Sequence, residues 1–227
     1  MPSTLVHVAF AGLLAAALLG AAYDLRALLV VLAVTAVPDL DAFGAFLFAG
    51  AHRALLHTFL IPLAAAGVLL VDTRLRGESG LRARFGARGV RVAWVGVLAF
   101  AVAGIGFDFV TNGVNALYPL VDQFYVLNGK LELSTTEGLV QTFIEVPSEG
   151  ATASGGGSGG SVPAPESVGT TENVTYTTAV DPEPADGVES GPVERVFPVV
   201  RSGWQLLVVL AGAVTVTARF GLDSLEE

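Results

Sequence analysis

Six ionisable side chains stand within or beside apolar segments of this 227-residue chain, where charged groups are costly and usually functional. They comprise all three histidines and three of the aspartates: His7, Asp39, Asp41, His52, His57 and Asp108. Imidazole nitrogens and carboxylate oxygens are suitable ligands for Zn²⁺, Mn²⁺ and Fe²⁺. If the six converge, they predict a site for a divalent metal ion, with Asp39, Asp41 or Asp108 as a general base.

The segments that carry these residues are long and apolar enough to cross a bilayer. A transmembrane helix needs about 20 mainly apolar residues, and 52% of this chain is apolar while 15% is charged. The sequence predicts five spans, at 5–22, 26–51, 54–71, 92–110 and 203–218. The first span is expected to be retained, because no basic residue precedes it as in a signal peptide. The predicted fold class is therefore a mainly α, polytopic membrane protein.

Basic residues predict how this protein lies in the cell membrane. Six arginines separate the third span from the fourth, and basic loops stay in the cytoplasm: Arg74, Arg76, Arg82, Arg84, Arg88 and Arg91. The N-terminus is then outside and the C-terminus cytoplasmic. Residues 120–203 are also outside and carry 12 acids against 3 bases, in a chain of net charge −9.

Such acidity is typical of a high-salt proteome and argues against a nucleic-acid partner. The absence of cysteine excludes disulfides and thiolate ligands.

The extracytoplasmic region divides by composition into two parts. Within 120–146, alternating apolar residues around the turn at 136–138 predict a small β-hairpin. Between 147 and 194, 27 of 48 residues are Gly, Ser, Pro or Thr, with 8 acids and no base. That composition predicts a disordered acidic loop, taken to extend over 147–202, before the last span and a short tail in 203–227. The remaining domain, 1–119, holds the first four spans and the metal site.

Local geometry predicts how the six side chains meet. Pro38 interrupts the second span, and an extended backbone after it would put the carboxylates of Asp39 and Asp41 on one side. On a regular helix His52 and His57 would not share a face, and they converge more easily if His52 precedes the helix and His57 lies one turn into it. Arg53 is either a bidentate binder of a substrate anion or an arginine at the membrane interface.

Each polar residue taken alone also has a structural explanation. His7 is then an interfacial histidine, Asp39 caps a helix, and Asp108 pairs with Asn112. The six together, on one predicted side of the membrane, favour a site.

The order of these motifs resembles that of the predicted membrane-bound metal-dependent hydrolases, a family that includes a LexA-regulated inner-membrane branch. The resemblance covers residues 1 to about 146 and rests on these pieces: His7, Pro38-Asp39-Leu40-Asp41, the run from His52 to Thr58, and Asp108 before Tyr118-Pro119. It implies a helical membrane fold and metal-dependent hydrolysis. The chain departs from the family pattern mildly at Ala54 and Thr58. It departs more seriously at Gly104, where the family has a histidine four residues before Asp108.

Three functions are consistent with these features. The first is a metal-dependent hydrolase at the outer face, acting on a phosphoester, lipid-like or other small-molecule substrate, with Arg53 holding an anionic leaving group. The second is a non-catalytic relative that displays an acidic loop. A metal or proton permease is disfavoured, because no inverted repeat is visible. If the missing histidine is needed, Gly104→His is expected to raise metal affinity or activity.

Overall fold

The computed structural model describes residues 2–129, 131–136, 138–141, 166–182 and 194–223, which form six α-helices and four short β-strands. The helices are α1 (Thr4–Leu18), α2 (Leu25–Ala36), α3 (Leu60–Leu70), α4 (Gly80–Ala99), α5 (Gly106–Thr111) and α6 (Gly203–Asp223). The strands are β1 (Phe124–Val126), β2 (Leu131–Ser134), β3 (Gly138–Gln141) and β4 (Glu166–Gly169). Short 3₁₀ segments occupy Gly20–Ala22 and Pro38–Phe46, and π-helical turns occupy Val71–Leu75 and Phe100–Ile105. The chain is therefore mainly helical, as its composition predicts.

Three helical stretches of the described chain are long and apolar enough to cross a membrane: Leu25–Phe46, Gly80–Thr111 and Gly203–Leu222. They correspond to the second, fourth and fifth predicted spans. The first predicted span forms α1, whose 15 residues rise about 22 Å against a hydrocarbon core of about 30 Å. The third forms α3, which has 11 residues before the backbone becomes π-helical. Helix lengths thus support three spans, while the count of five stays a prediction.

Small residues let the membrane helices pack closely. α1 lies against α6 and α2, and α2 lies against α4. Ala11, Ala15 and Ala99 are fully buried in this core. A Cβ atom on Gly212 of α6 would lie 2.5 Å from the carbonyl oxygen of Ala9, so only glycine allows this approach of the two helices. Close packing of small residues is the usual means by which helices associate in a bilayer.

The outer surface of the helices is apolar. Large aliphatic side chains point outward on α3 and α6, where Leu63, Val68, Leu207 and Val214 are each more than 60% exposed. Exposed apolar surface of this extent is unusual for a protein in water. It is compatible with the membrane location that the three long helices indicate.

Four short strands form two antiparallel pairs. β2 pairs with β3, with Leu131 opposite Gln141 and Ser134 opposite Gly138. This pair is the predicted hairpin. β1 pairs with β4, and Phe124 lies opposite Gly169. The second pair joins the end of the membrane domain to a segment that the composition had predicted to be disordered.

The prediction of disorder over 147–202 is wrong for residues 166–182 and for residues 194–202, where the Val199 carbonyl oxygen accepts a hydrogen bond from Ser3. The Asp122 carboxylate accepts hydrogen bonds from the backbone N–H and hydroxyl of Thr171, at 3.1 and 2.6 Å. The ring of Tyr176 packs against Phe124 with centroids 5.7 Å apart. Composition averages over the whole segment and does not register these few specific contacts. Residues 147–165 and 183–193, for which disorder was also predicted, lie outside the described part of the chain.

Candidate metal centre

A change of helix type at Pro38 places the first two carboxylates. α2 ends at Ala36, because proline has no N–H to continue the helical hydrogen bonds. The backbone then forms a 3₁₀ segment, so the predicted extended conformation from Asp39 to Asp41 is wrong. A 3₁₀ turn satisfies backbone hydrogen bonds inside an apolar environment, which an extended segment would leave unpaired. It leaves Asp41 buried and the Asp39 side chain 20% exposed.

Asp41 organises the loop that carries two of the histidines. Its Oδ2 accepts from the backbone N–H groups of Arg53 and Leu56, at 3.0 and 3.2 Å. Its Oδ1 lies 2.7 Å from His52 Nδ1, and its Oδ2 lies 2.9 Å from His57 Nδ1. Both histidines precede α3, so the prediction that His57 lies one turn into the helix is wrong. The shared carboxylate brings the two rings together instead.

Backbone and carboxylate acceptors fix which nitrogen is free on two of the histidines. His7 Nδ1 lies 2.6 Å from the carbonyl oxygen of Ala103, which can only accept, so Nδ1 carries the proton. His57 Nδ1 meets the Asp41 carboxylate in the same way. In each neutral ring the Nε2 lone pair is then available. Both Nε2 atoms are buried and make no hydrogen bond within the described chain.

These free nitrogens face the carboxylates of Asp39 and Asp108. His57 Nε2 lies 3.1 Å from Asp108 Oδ2 and 3.6 Å from Asp39 Oδ1. His7 Nε2 lies 3.6 Å from Asp108 Oδ2. Ligand atoms held at 2.0–2.2 Å by one metal ion lie roughly 3–4 Å apart. These buried His and Asp groups could therefore hold a metal ion.

The structure brings all six predicted residues together, but in two groups. The donor atoms of His7, Asp39 and Asp108 lie within 4.8 Å of one another, and so do those of Asp41, His52 and His57. His57 links the groups, since its Nδ1 contacts Asp41 while its free nitrogen faces Asp39 and Asp108. A single shell of six ligands does not fit this division. Whether the residues bind metal or catalyse stays a prediction.

Arg53 is an internal cation. It is fully buried, so the prediction of an arginine at the membrane interface is wrong. Its guanidinium pairs with Asp108 and donates to the Gly113 carbonyl oxygen at 3.3 Å. These partners leave little for a substrate anion and argue against the predicted leaving-group role. Its φ of 67° is strained for a non-glycine residue, as is common at functional sites.

Asp108 follows a π-helical turn, and such turns are frequent at functional sites. The Asp108 side chain pairs with Arg53, so the alternative of an Asn112 partner is wrong. Asn112 instead donates its backbone N–H to the backbone carbonyl oxygen of Asp108. A Cβ atom at Gly104 would lie 3.0 Å from the Thr35 carbonyl oxygen. The departure from the family pattern at Gly104 therefore coincides with a close backbone contact.

The buried cluster carries excess negative charge. The cluster contains three carboxylates, Asp39, Asp41 and Asp108, and one guanidinium, that of Arg53, which pairs with Asp108. Two negative charges therefore remain uncompensated when the carboxylates are ionised and the histidines neutral. Buried charge without compensation is costly. A divalent cation, protonated histidines or a protonated carboxylate would balance it.

Tyr176 is the residue at this site that the sequence analysis missed. Its ring covers the Arg53 guanidinium at 4.7 Å, and its hydroxyl donates to the Asn112 carbonyl oxygen at 2.8 Å. Burial raises the pKa of Tyr176 despite the opposing effect of Arg53, so it is a neutral phenol at physiological pH. One signal was available, because Tyr176 is the only aromatic residue in 147–194.

A cavity of about 630 Å³ adjoins this cluster. Asp39, His52 and Tyr176 line its inner end. Its other walls come from the N-terminus and from residues 175–182 and 194–201. The site is therefore reached through segments that lie outside the membrane helices in sequence.

Comparison of the chain with protein-family models, with curated proteins and with solved structures finds no match. The resemblance to membrane-bound metal-dependent hydrolases thus rests on the motifs alone.

Proposed function

We propose that this chain is a membrane-embedded, metal-dependent hydrolase with a centre formed by His7, Asp39, His57 and Asp108. One observation carries the proposal: two buried Nε2 atoms without hydrogen-bond partners in the described chain face two carboxylates. The two uncompensated negative charges favour a divalent cation. The mixed nitrogen and oxygen donors suit Zn²⁺, Mn²⁺ or Fe²⁺.

The remaining polar residues have distinct roles in this proposal. A divalent cation would polarise a carbonyl or phosphoryl oxygen and make water easier to deprotonate. Asp41 orients His52 and His57 as an outer-shell carboxylate. His52 lines the cavity, and because its Nδ1 contacts Asp41, its Nε2 is the atom that accepts or donates a proton. We assign the general base to His52 in place of an aspartate, since Arg53 occupies Asp108 and four donors occupy Asp41.

The proposed setting is the cell membrane, with five spans, the N-terminus outside and the C-terminus in the cytoplasm. In this arrangement α1 and α3 are short spans, and the arginines of 72–91 hold their loop in the cytoplasm. The site then faces outward, where membrane lipids and small-molecule phosphoesters are both accessible substrates.

A second candidate is a non-catalytic membrane protein. It is favoured by the polar partners that the cluster already contains, since Arg53 pairs with Asp108 and both His52 and His57 contact Asp41. With two histidines protonated, the cluster would be neutral without a metal. Gly104, which stands where the family pattern has a histidine, also favours a non-catalytic protein.

Two histidine variants separate these functions. Metal content is measured by mass spectrometry on purified protein, and turnover on bis(p-nitrophenyl) phosphate and p-nitrophenyl acetate. His7→Gln should lose both metal and turnover. His52→Gln is the matched control and should keep the metal while turnover falls by about a hundredfold or more, as for loss of a general base. Wild-type protein that takes up no divalent metal would exclude the hydrolase and leave the second candidate.

A further inference from the structure

We infer that the 630 Å³ cavity binds an anionic amphiphile, a membrane lipid with a phosphate-ester head group, and that Arg201 holds the phosphate. This inference rests on the proposed function, since the cavity ends at the same site. A volume of this size accommodates a head group and the start of a chain but not a whole lipid. The rest of the lipid must therefore leave through the mouth of the cavity.

Arg201 supplies the cation at the outer end of the cavity. It is exposed and forms no salt bridge within the described chain. Its backbone N–H donates to the side chain of Gln205 at 2.8 Å, and Gln205 is itself only 3% exposed. Glu194 and Asp39 are the acids on the same walls, and Asp39 is a ligand in the proposed metal centre. An anion between the metal centre and Arg201 thus meets a cation at each end.

The wall that carries Arg201 is held in place from the N-terminus. The hydroxyl of Ser3 donates to the Val199 carbonyl oxygen at 2.6 Å. Ser3 also lines the cavity. A wall tied at both Val199 and Gln205 presents its side chains in a fixed arrangement, which reduces the entropy lost on binding.

The mouth of the cavity is apolar and continues into exposed hydrophobic surface. Phe197 lines the cavity and is 75% exposed, and Val196 beside it is 52% exposed. Across the cavity, Ala42 is followed by Phe43, which is 56% exposed. The spanning helix α6 begins soon afterwards, at Gly203. A cation next to exposed aromatic rings at the start of a span matches the head-group level of a bilayer, so the occupant we assign is a lipid.

The test measures binding to full-length, detergent-solubilised protein by native mass spectrometry, with excess chelator and without. The probes are short-chain phosphatidic acid, diacylglycerol of the same chain length, and glycerol 3-phosphate. We expect phosphatidic acid to bind best. Arg201→Gln should weaken it by about tenfold or more, as expected for a charge-assisted hydrogen bond. Arg82→Gln, in the first turn of α4 and outside the cavity lining, is the matched control and should leave binding unchanged.

Phe197→Ala tests the contribution of the acyl chains separately from that of the phosphate head group. It should weaken phosphatidic acid but not glycerol 3-phosphate. Equal binding of glycerol 3-phosphate and phosphatidic acid would overturn the lipid assignment. Equal binding of diacylglycerol, or no effect of Arg201→Gln, would overturn the phosphate assignment. Binding that persists with chelator and in a protein without turnover would uphold this inference while the hydrolase proposal fails.

Discussion

The two ends of the helices hold their charges in opposite ways. Around the start of α4, Arg76 lies 3.5 Å from Asp72 with 62% of its side chain exposed, and Arg88 of α4 pairs with Asp24 while half exposed. Towards the other end of the Gly80–Thr111 stretch, Asp108 of α5 pairs with Arg53, with both side chains at most 2% exposed. Water screens the first kind of pair, whereas the second has lost its hydration. The same residue types therefore form exposed, screened pairs at one end and a buried, dehydrated pair at the other.

The largest expected effect is on stability, when one charge is removed from the buried pair and one from an exposed pair. Asp108→Asn leaves the Arg53 guanidinium buried without its counter-ion, which typically costs about 3–5 kcal/mol. Arg76→Gln removes an exposed pair and should not measurably shift thermal unfolding. Both are compared with wild type by thermal unfolding in detergent with excess chelator, so that metal loss does not contribute. Equal shifts for the two variants would show that the buried pair is no more important than the exposed one.

A smaller effect is expected at Gly104, beside the buried cluster. The structure reverses the expectation from the resemblance, because a side chain there presses on the Thr35 carbonyl oxygen and the Pro38 ring. Gly104→His should lower stability and metal affinity, and Gly104→Ala should cost about 1–3 kcal/mol as an overpacked contact. Gly106→Ala is the control, since its Cβ would meet only an ordinary contact at 3.5 Å. Tighter metal binding by Gly104→His would instead support the missing ligand.

The smallest effect concerns residues 166–182, where the Asp122 carboxylate holds Thr171. Burial favours a higher pKa for Asp122, but hydrogen bonds from Thr171 and Asn115 outweigh it and lower the pKa. Because the pKa is lowered, the contact is complete above the unfolded value of about 3.9 and is lost as the pH falls through the lowered pKa of the folded protein. A spin label at Glu172→Cys, in this cysteine-free chain, should become mobile on acidification. With Asp122→Asn it should be mobile at neutral pH as well, and an immobile label there would contradict this role.

The sequence predicted the helices better than the segment outside them. Hydropathy located every long helix, because twenty apolar residues leave few other structures in a bilayer. It overestimated the lengths of α1 and α3, since the ends of apolar runs continue into short turns. Composition failed for 166–182, where Asp122 and Tyr176 provide contacts that an average over many residues conceals.

Residue type and order predicted which six side chains meet, but not that they form two groups of three. The six residues converge, and Pro38 marks the change of backbone that places two of them. Which nitrogen of His7 and of His57 faces Asp108 depends on the acceptor at each Nδ1, the Ala103 carbonyl oxygen and the Asp41 carboxylate. Every residue has a backbone carbonyl, so the sequence does not show which one accepts a hydrogen bond from His7. The burial of Arg53 likewise depends on Tyr176, which lies 123 positions further along the chain.

X-ray absorption spectroscopy of the metal-loaded protein tests the four-residue centre most directly. The centre of His7, Asp39, His57 and Asp108 predicts two imidazole nitrogens in the first shell, with carboxylate oxygens at about 2.0–2.2 Å. His7→Gln should reduce the imidazole contribution or abolish binding, while His52→Gln should leave the spectrum unchanged. Three imidazoles in the wild type, or a spectrum altered by His52→Gln, would place His52 on the metal and contradict this account.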